Sequence, residues 1–256
     1  MKVGITGGTG RVGRLLIEEL QSGHWDGLTL AGASARDTSK FDGADFLVTD
    51  NAEELFKQSD IVIDFTLPET IKDHLSLAVA NKTTLIIGTT GLTEQDEAGI
   101  AEAAKHTAII YSANMSLGVN LLLALVERAA ASLDPEWDIE IFESHHKHKI
   151  DAPSGTALAI GKAAAEGRGV DLDDVKVSAR DGITGERKKG DIGFSVARGG
   201  DVVGEHTAFF YGAGERIELS HLARDRSLFA RGALKAAQWS DGKPAGLYSM
   251  KDVLGL

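Results

Sequence analysis

The residues best suited to chemistry lie together between positions 143 and 157, which read ESHHKHKIDAPSGTA. Three of the chain's eight histidines, His145, His146 and His148, fall within four positions of this segment. Histidine is the side chain that most easily donates a proton near neutral pH, and the ammonium of Lys149 is a point charge suited to a carboxylate. The segment therefore combines a candidate proton donor with a candidate anion-binding group.

The end of the same segment predicts the start of a helix. A helical pattern from Ala157 to Ala165 follows Pro153, Ser154, Gly155 and Thr156. The first turn of a helix offers unpaired N–H groups to anions, and serine and threonine hydroxyls add to such a cradle. Together with the histidines, this cradle favours a small anionic substrate.

A metal site is the first alternative for the histidine cluster. His146 and His148 would share one face if the segment were extended. Lys147 and Lys149 would repel a cation there, and no nearby set of carboxylates completes a ligand shell. We therefore predict no metal, and we expect His148 to be a structural residue.

A glycine motif opens the chain. Residues 8–13 read GTGRVG, which fits GxGxxG between a predicted strand and a predicted helix. Gly8 permits the tight turn, Gly10 lets the backbone approach a pyrophosphate, and Gly13 lets the helix pack against the sheet. Arg11 adds a positive charge. The motif predicts dinucleotide binding; the alternatives are a structural turn or another type of nucleotide site.

The second predicted strand bears on which dinucleotide is bound. An acidic residue that binds the adenosine ribose is expected about 20 residues after the glycines, but Ala35 stands there and Asp37 comes late. Ser34, Arg36 and Lys40 could instead surround a 2′-phosphate. This favours NADPH, or use of both NADPH and NADH; the alternative is that the two basic residues only face solvent.

Two further motifs follow predicted strands of the first half. Residues 64–66 read DFT and residues 88–91 read GTTG. Open α/β sheets bind ligands at the carboxyl ends of their strands, so both could line the nicotinamide crevice, although each could also be an ordinary turn. A nicotinamide site together with the anion cluster implies hydride transfer to a small anionic acceptor.

The elements that must position these residues change in type near residue 115. Strands alternate with helices before that point, which predicts a mostly parallel sheet covered on both faces. After it come a long helix, Leu117–Ser132, and several strand-like stretches that predict a mixed sheet. We predict an α/β fold: a Rossmann-type dinucleotide-binding domain at 1–115, joined by the C-terminal segment 227–256, and an α+β substrate-binding domain at 116–226.

Composition excludes several classes of protein. With 27 basic and 38 acidic residues the net charge is −11, which argues against nucleic acid as a partner. The absence of cysteine removes disulfides and thiolate chemistry. No apolar run approaches the roughly 18 residues that span a bilayer. We expect a cytoplasmic protein without a membrane partner.

The segment 143–157 resembles the signature of the dihydrodipicolinate reductase family, roughly ExHHxxKxDAPSGTA. Residues 7–13, 64–66, 88–91 and 112–120 also resemble family motifs and follow in the family's order. The resemblance spans essentially the whole chain, and its central motif is long enough to be specific.

Four positions depart from the family pattern. Lys147 stands where arginine is common, Met115 where phenylalanine is common, and Val12 where methionine is common. These three changes are conservative. Ala35 replaces the usual acid, and this departure bears on the choice of cofactor.

The resemblance implies a role for each matching residue. His145 would donate the proton, and Lys149 would assist protonation and bind a substrate carboxylate. The other substrate-binding residues would be His146, Ser154, Gly155 and Thr156. The cofactor-binding residues would be Gly7, Gly8, Thr9, Gly10, Arg11, Val12, Arg36, Gly88, Thr89, Thr90, Ser112, Ala113, Asn114 and Met115. Arg226 matches a family position near the hinge.

The resemblance also implies an activity and an assembly. The activity would be NAD(P)H-dependent reduction of a cyclic unsaturated dicarboxylate to tetrahydrodipicolinate, on the diaminopimelate route to lysine. The assembly would be a homotetramer built through the sheets of the second domains, with the two domains closing over cofactor and substrate. The alternatives are another nicotinamide-dependent reductase or dehydrogenase of a small anion on the same fold, or a nicotinamide-sensing protein without turnover.

Overall fold

The structure, a computed structural model, describes all residues from 1 to 256. The chain forms two compact units, Met1–Leu117 with Arg226–Leu256, and Gly118–Asp225. The elements of the first stretch are β1 (Lys2–Thr6), α1 (Arg11–Gln21), β2 (Thr29–Ser34), β3 (Leu47–Thr49), α2 (Ala52–Lys57), β4 (Ile61–Asp64), α3 (Ile71–Asn81), β5 (Thr84–Ile87), α4 (Glu94–Ala103) and β6 (Ala108–Tyr111). Two short 3₁₀ turns, Thr38–Phe41 and Pro68–Thr70, lie between them.

The remaining elements begin with a long helix. They are α5 (Leu117–Ser132), β7 (Asp138–His145), α6 (Gly155–Arg168), α7 (Leu172–Val175), β8 (Lys176–Val177), β9 (Ile192–Arg198), β10 (Gly204–Gly212), β11 (Glu215–Ala223), α8 (Ser227–Trp239), β12 (Gly246–Tyr248) and α9 (Met250–Leu254). No helix is both long and apolar enough to cross a bilayer.

The first unit contains a seven-stranded sheet in the order β12-β6-β5-β4-β1-β2-β3. Every neighbouring pair in it is parallel. Apolar residues of α1 and α8 pack with β1 in one core, and apolar residues of α3 and α4 pack with β5 in another. The strand order reverses at β1 and β4, so the crevice at their carboxyl ends is where such a sheet binds a ligand.

The second unit contains a five-stranded sheet in the order β11-β10-β7-β9-β8. β7 pairs antiparallel with β10 and parallel with β9, and β10 and β11 form a hairpin across Ala213 and Gly214. Alternate residues of β7 are buried, as expected of a strand with one face on a core. The predicted fold class, a Rossmann-type domain plus a mixed-sheet domain, is confirmed.

Five elements were not predicted: β3, α2, α7, β12 and α9. Each is three to six residues long, which is too short for a hydrophobic period to develop. The strand that the sequence predicts over 175–179 is shorter in the structure, because Val175 ends α7 and only Lys176 and Val177 form β8.

Candidate active site

The glycine loop of the first unit is shaped for an anion. Gly7 has φ +67° and its carbonyl accepts a hydrogen bond from the Gly10 N–H at 2.8 Å. A Cβ at Gly13 would lie 2.3 Å from that same carbonyl oxygen, so only glycine fits. No side chain caps α1, so its first turn offers N–H groups to a phosphate.

A cavity of about 530 Å³ opens beside this loop. It brings together Gly7, Thr9 and Gly10 with Arg36, as predicted for a dinucleotide site. Ala35 lines it as well, and no carboxylate projects from the end of β2. Asp50, just after β3, lines the cavity too and was not predicted, because β3 was not recognised. Lys40 does not line it and pairs instead with Asp37 at 3.8 Å.

The other predicted cofactor segments follow neighbouring strands of the same sheet. Gly88, Thr89 and Thr90 follow β5, where the Gly88 N–H donates to the Asp64 carbonyl at 2.8 Å and Thr89 is buried. Segment 112–115 follows β6, where the Ser112 N–H donates to the Ile87 carbonyl at 3.2 Å. Both segments therefore lie at the carboxyl edge of the sheet, although neither lines the 530 Å³ cavity. The remaining predicted cofactor residues, Gly8, Arg11 and Val12, belong to the glycine loop and the start of α1.

Asp64 and His74 form a buried pair at this edge. The Asp64 carboxylate lies 2.6 Å from His74 Nδ1 and also accepts from the N–H and hydroxyl of Thr66. Burial acts to raise the pKa of Asp64, but the hydrogen bonds from His74 and Thr66, with the His74 charge, outweigh burial and lower it. The pair holds the turn that begins at Thr66, and both Thr66 and His74 line the cavity.

The second unit contains a second histidine–carboxylate pair. Glu143 and His145 are alternate residues of β7, so both side chains lie on the inner face. Glu143 is 1% exposed and its Oε2 lies 2.6 Å from His145 Nδ1. This contact fixes the imidazole of the predicted proton donor.

The Glu143 carboxylate is held by further donors. Oε1 accepts from the Ser154 N–H at 2.9 Å, and the Arg198 guanidinium donates to both carboxylate oxygens at 2.8 Å. Burial acts to raise the pKa of Glu143, but the hydrogen bonds from Arg198, His145 and Ser154 together lower it. Glu143 is therefore a carboxylate near neutral pH.

His145 is only 9% exposed, and burial lowers its pKa. The Glu143 carboxylate acts in the opposite direction, whereas the charges of Lys149 and Arg198 lower the pKa further. A Cβ at Gly204 on β10 would lie 2.9 Å from His145 Nε2. The glycine therefore leaves space beside the ring nitrogen that Glu143 does not bind.

His206 lies across from Glu143 in the β7–β10 ladder and is 4% exposed. Its Nε2 lies 3.0 Å from the Ser154 hydroxyl, its ring centroid lies 5.1 Å from that of His145, and its Nδ1 has no hydrogen-bond partner. Burial lowers the pKa of His206 to about 4, with a smaller contribution from the His145 charge. His206 is therefore neutral near pH 7.

Three of the residues predicted to bind the substrate lie at the start of α6. Ser154 is the N-cap, and its hydroxyl accepts from the Ala157 N–H at 3.1 Å; Gly155 and Thr156 begin the helix. The ammonium of Lys149 lies 2.8 Å from the carboxylate of Asp151. This ion pair was not predicted from the sequence. The backbone N–H of His146 donates to the Val202 carbonyl at 2.7 Å, and the buried Nδ1 of the His146 side chain has no hydrogen-bond partner.

Glu143, His145 and His206 are residue types that also bind metal ions, and their nitrogen and oxygen atoms lie within 4.8 Å of one another. Each carboxylate oxygen, however, already accepts from the Arg198 guanidinium. A carboxylate occupied by a guanidinium is unsuited to a cation, so this arrangement fits proton chemistry better than metal binding.

Sequence reasoning missed the roles of Glu143, Arg198, His206 and Gly204. The position of Glu143 could have been found, since residues two apart on a strand share a face. The other three lie on β9 and β10, more than 50 positions after Glu143, and no local pattern connects them to it.

The chain matches known proteins along its whole length. Residues 1–115 match the family description "Dihydrodipicolinate reductase, N-terminus", and residues 118–254 match "Dihydrodipicolinate reductase, C-terminus". The 4-hydroxy-tetrahydrodipicolinate reductase of Dinoroseobacter shibae is 52% identical over 98% of this chain and 97% of its own. That of Parvibaculum lavamentivorans is 51% identical over 100% of this chain and 98% of its own.

Solved structures show how widely the fold is shared. A dipicolinate-bound dihydrodipicolinate reductase from Paenisporosarcina sp. TG-14 has a TM-score of 0.80 at 24% identity, covering 97% of each chain. An aspartate semialdehyde dehydrogenase from Vibrio cholerae has a TM-score of 0.54 at 15% identity, covering 93% of this chain and 97% of its own. Fold alone does not separate these activities, but the family descriptions and the identity of about half the residues do: the chain belongs to the dihydrodipicolinate reductase family.

Proposed function

We propose that this chain is a 4-hydroxy-tetrahydrodipicolinate reductase, an NAD(P)H-dependent oxidoreductase that forms tetrahydrodipicolinate for the biosynthesis of diaminopimelate and lysine. Its relatives carry this name at about half identity over their full length. The structural observation that supports the proposal most is the buried Glu143–His145 pair, which lies beside the first turn of α6.

The first unit fits a dinucleotide. A Cβ at Gly13 would clash with the Gly7 carbonyl, and the uncapped start of α1 offers N–H groups that could bind a phosphate. When bound, the reduced nicotinamide supplies a hydride to C4 of the substrate ring after the ring hydroxyl has left as water. We propose the residues of the glycine loop, Arg36, 88–90 and 112–115 as the cofactor-binding set.

The residues of the second unit supply the proton and the charge. His145 donates a proton to C3 of the ring from Nε2, because Nδ1 is engaged by Glu143. Lys149 attracts a substrate carboxylate, which competes with Asp151 for the ammonium. His146 and the first turn of α6, Ser154 to Thr156, complete the anion site. The local positive charge explains how a chain of net charge −11 binds a dicarboxylate.

The test is a coupled absorbance assay in which the heterocyclic substrate is generated in the cuvette. The proposal predicts oxidation of NADPH or NADH only when the substrate is present. Binding of the dinucleotide without its oxidation would contradict the proposal and favour a sensing protein. Activity with a different small anion alone would favour another reductase on this fold.

The choice of cofactor follows from Arg36. We propose use of NADPH, or of both cofactors, because Arg36 lines the cavity and Ala35 offers no carboxylate to a ribose. R36A should raise the KM for NADPH by roughly tenfold and leave the KM for NADH within about threefold, as expected for loss of one charged phosphate contact. A preference of the wild type for NADH above about tenfold would contradict this.

We also propose a homotetramer. Phe209 and Tyr211 stack at 5.7 Å on the face of β10 opposite the core, and Arg216 lies over both rings. Leu222 on β11 is 61% exposed on the same side. Exposed apolar faces of this kind mark interfaces. Light scattering should give four times the 27.1 kDa chain mass, whereas a monomer mass would contradict the proposal. The cytoplasmic location stays a prediction.

A further inference from the structure

The atom from which His145 gives its proton is fixed by its neighbours. Nδ1 lies 2.6 Å from the Glu143 carboxylate. An ionised carboxylate can only accept a hydrogen bond, so Nδ1 must carry hydrogen in both the neutral and the charged imidazole. Nε2 is then the nitrogen that gains and loses the proton, and Gly204 leaves the space beside it free of a side chain.

We infer that Glu143 is a positioning residue that holds His145 in the Nδ1–H form, and that Arg198 holds Glu143 in the position this requires. The inference rests on the proposed function, in which His145 is the proton donor. Glu143 and Arg198 were not among the predicted site residues. Both would act through His145 and not by contact with the substrate.

The geometry of the carboxylate supports this role. Its two oxygens accept four hydrogen bonds in all: from His145, from the Ser154 N–H and two from Arg198. The guanidinium is itself anchored, because it donates to the Asp151 carbonyl at 2.6 Å and the Ala197 carbonyl at 2.7 Å. A paired arrangement of this kind fixes both distance and plane, so Glu143 cannot rotate away from His145 without breaking several bonds.

Four charged or titratable groups surround His145. Glu143 lies on its own strand, Lys149 follows that strand, Arg198 lies on β9 and His206 on β10. The carboxylate stabilises the imidazolium, and the two cations destabilise it. Removal of Glu143 should therefore lower the pKa of His145, which a merely structural role would not produce. Removal of Arg198 should act through Glu143, by freeing the carboxylate from its fixed position.

The matched control lies on the same strand. Glu140 is also bonded by arginines, with Arg180 at 2.8 Å and Arg187 at 3.1 Å, but it lies on the opposite face of β7. E143Q and E140Q thus remove the same charge from the same strand, and only one of them removes it from His145. E143D keeps the charge and shortens the side chain, and R198K keeps the charge without the two-point contact.

The experiment combines kinetics with NMR of the full-length protein. The kcat of E143Q should fall by about 10²-fold, the size of a general-acid contribution, while the KM for the substrate stays within a few fold. Because the protonated form of His145 is the active one, the alkaline limb of the kcat profile should move to lower pH in E143Q. R198M should lower kcat as well, because it leaves Glu143 free to turn away from His145. E143D and R198K should keep the limb near that of the wild type with reduced kcat, and E140Q should match the wild type.

The NMR readout does not depend on turnover. ¹⁵N-labelled histidine should show His145 in the Nδ1–H form in the wild type and in a mixture of tautomers in E143Q. Wild-type kcat and pH limb in E143Q would overturn the inference, as would a wild-type tautomer in E143Q or a wild-type kcat in R198M. If the wild type fails to reduce the substrate, the proposed function fails, but the tautomer result still decides whether Glu143 positions His145.

Discussion

Each unit of this chain contains one buried histidine bonded through Nδ1 to a buried carboxylate, and both contacts are 2.6 Å long. The surroundings of the two pairs differ. Besides His74, Asp64 accepts hydrogen bonds from the neutral N–H and hydroxyl of Thr66, and the ring of His74 packs 5.8 Å from Phe56. Glu143 is held by a guanidinium, and the ring of His145 lies beside the space left by Gly204.

The difference shows which surroundings would allow a histidine–carboxylate pair to transfer a proton. A carboxylate on Nδ1 orients a histidine in either setting. Only His145 combines a free side at Nε2 with nearby cations and the start of α6, where an anion can be held. The comparison favours the proposal that the Glu143–His145 pair donates the proton. The Asp64–His74 pair supports the turn at the edge of the 530 Å³ cavity.

The largest expected effect is on turnover. H145Q should lower kcat by about 10²-fold or more, because it removes the general acid while keeping a similar volume. The dissociation constant of the dinucleotide, measured by fluorescence titration, should stay near that of the wild type, since His145 lies outside the first unit. An unchanged kcat in H145Q would contradict the proposal that His145 is the proton donor.

The matching change in the first unit should act on stability. H74Q should lower the free energy of unfolding by about 3 kcal/mol, the cost of leaving a buried carboxylate without its partner. Urea denaturation measures this. The kcat of the folded enzyme should stay within a few fold of wild type, and a loss as large as that of H145Q would remove the distinction between the two pairs.

His206 should make the second unit sensitive to acid. The pKa of His206 is about 4 in the folded protein, compared with 6.5 for a solvent-exposed histidine. Between pH 6.5 and 4, His206 therefore binds a proton in the unfolded chain but not in the folded one. Stability is therefore full above pH 6.5 and is lost as the pH falls towards 4, by roughly 3 kcal/mol in all. H206Q should flatten this loss in urea titrations at pH 7, 6, 5 and 4, whereas an equal slope in both proteins would contradict the assignment.

The smallest expected effect comes from filling the space at Nε2. G204A places a Cβ 2.9 Å from His145 Nε2, so the ring must shift, and kcat should fall about tenfold, or about 1.4 kcal/mol. G199A is the control, because a Cβ at Gly199 meets nothing within 4 Å. Equal kcat in the two variants would show that the space is not needed.

Parts of the fold with a clear period were predictable from the sequence. The bounds of α5 agree with those predicted, Leu117–Ser132, because a run of apolar residues identifies the helix. β12 was missed, since its three residues are recognisable only by their pairing with β6.

The same limit applies to the site. His145, Lys149 and Ser154 are close in sequence and could be grouped from one segment. Arg198 and His206 join them only through the pairing of β7 with β9 and β10. Sequence patterns therefore suggested the proposed proton donor, while the residues that surround it became visible only in three dimensions.

The most direct test of His145 as the proton donor is chemical rescue of H145A by imidazole. The account predicts that kcat, first lowered by about 10²-fold, rises with added imidazole in proportion to the imidazolium fraction, and that H74A shows no such gain. A wild-type kcat in H145A, or a rescue that grows with the neutral form as the pH rises, would contradict the account.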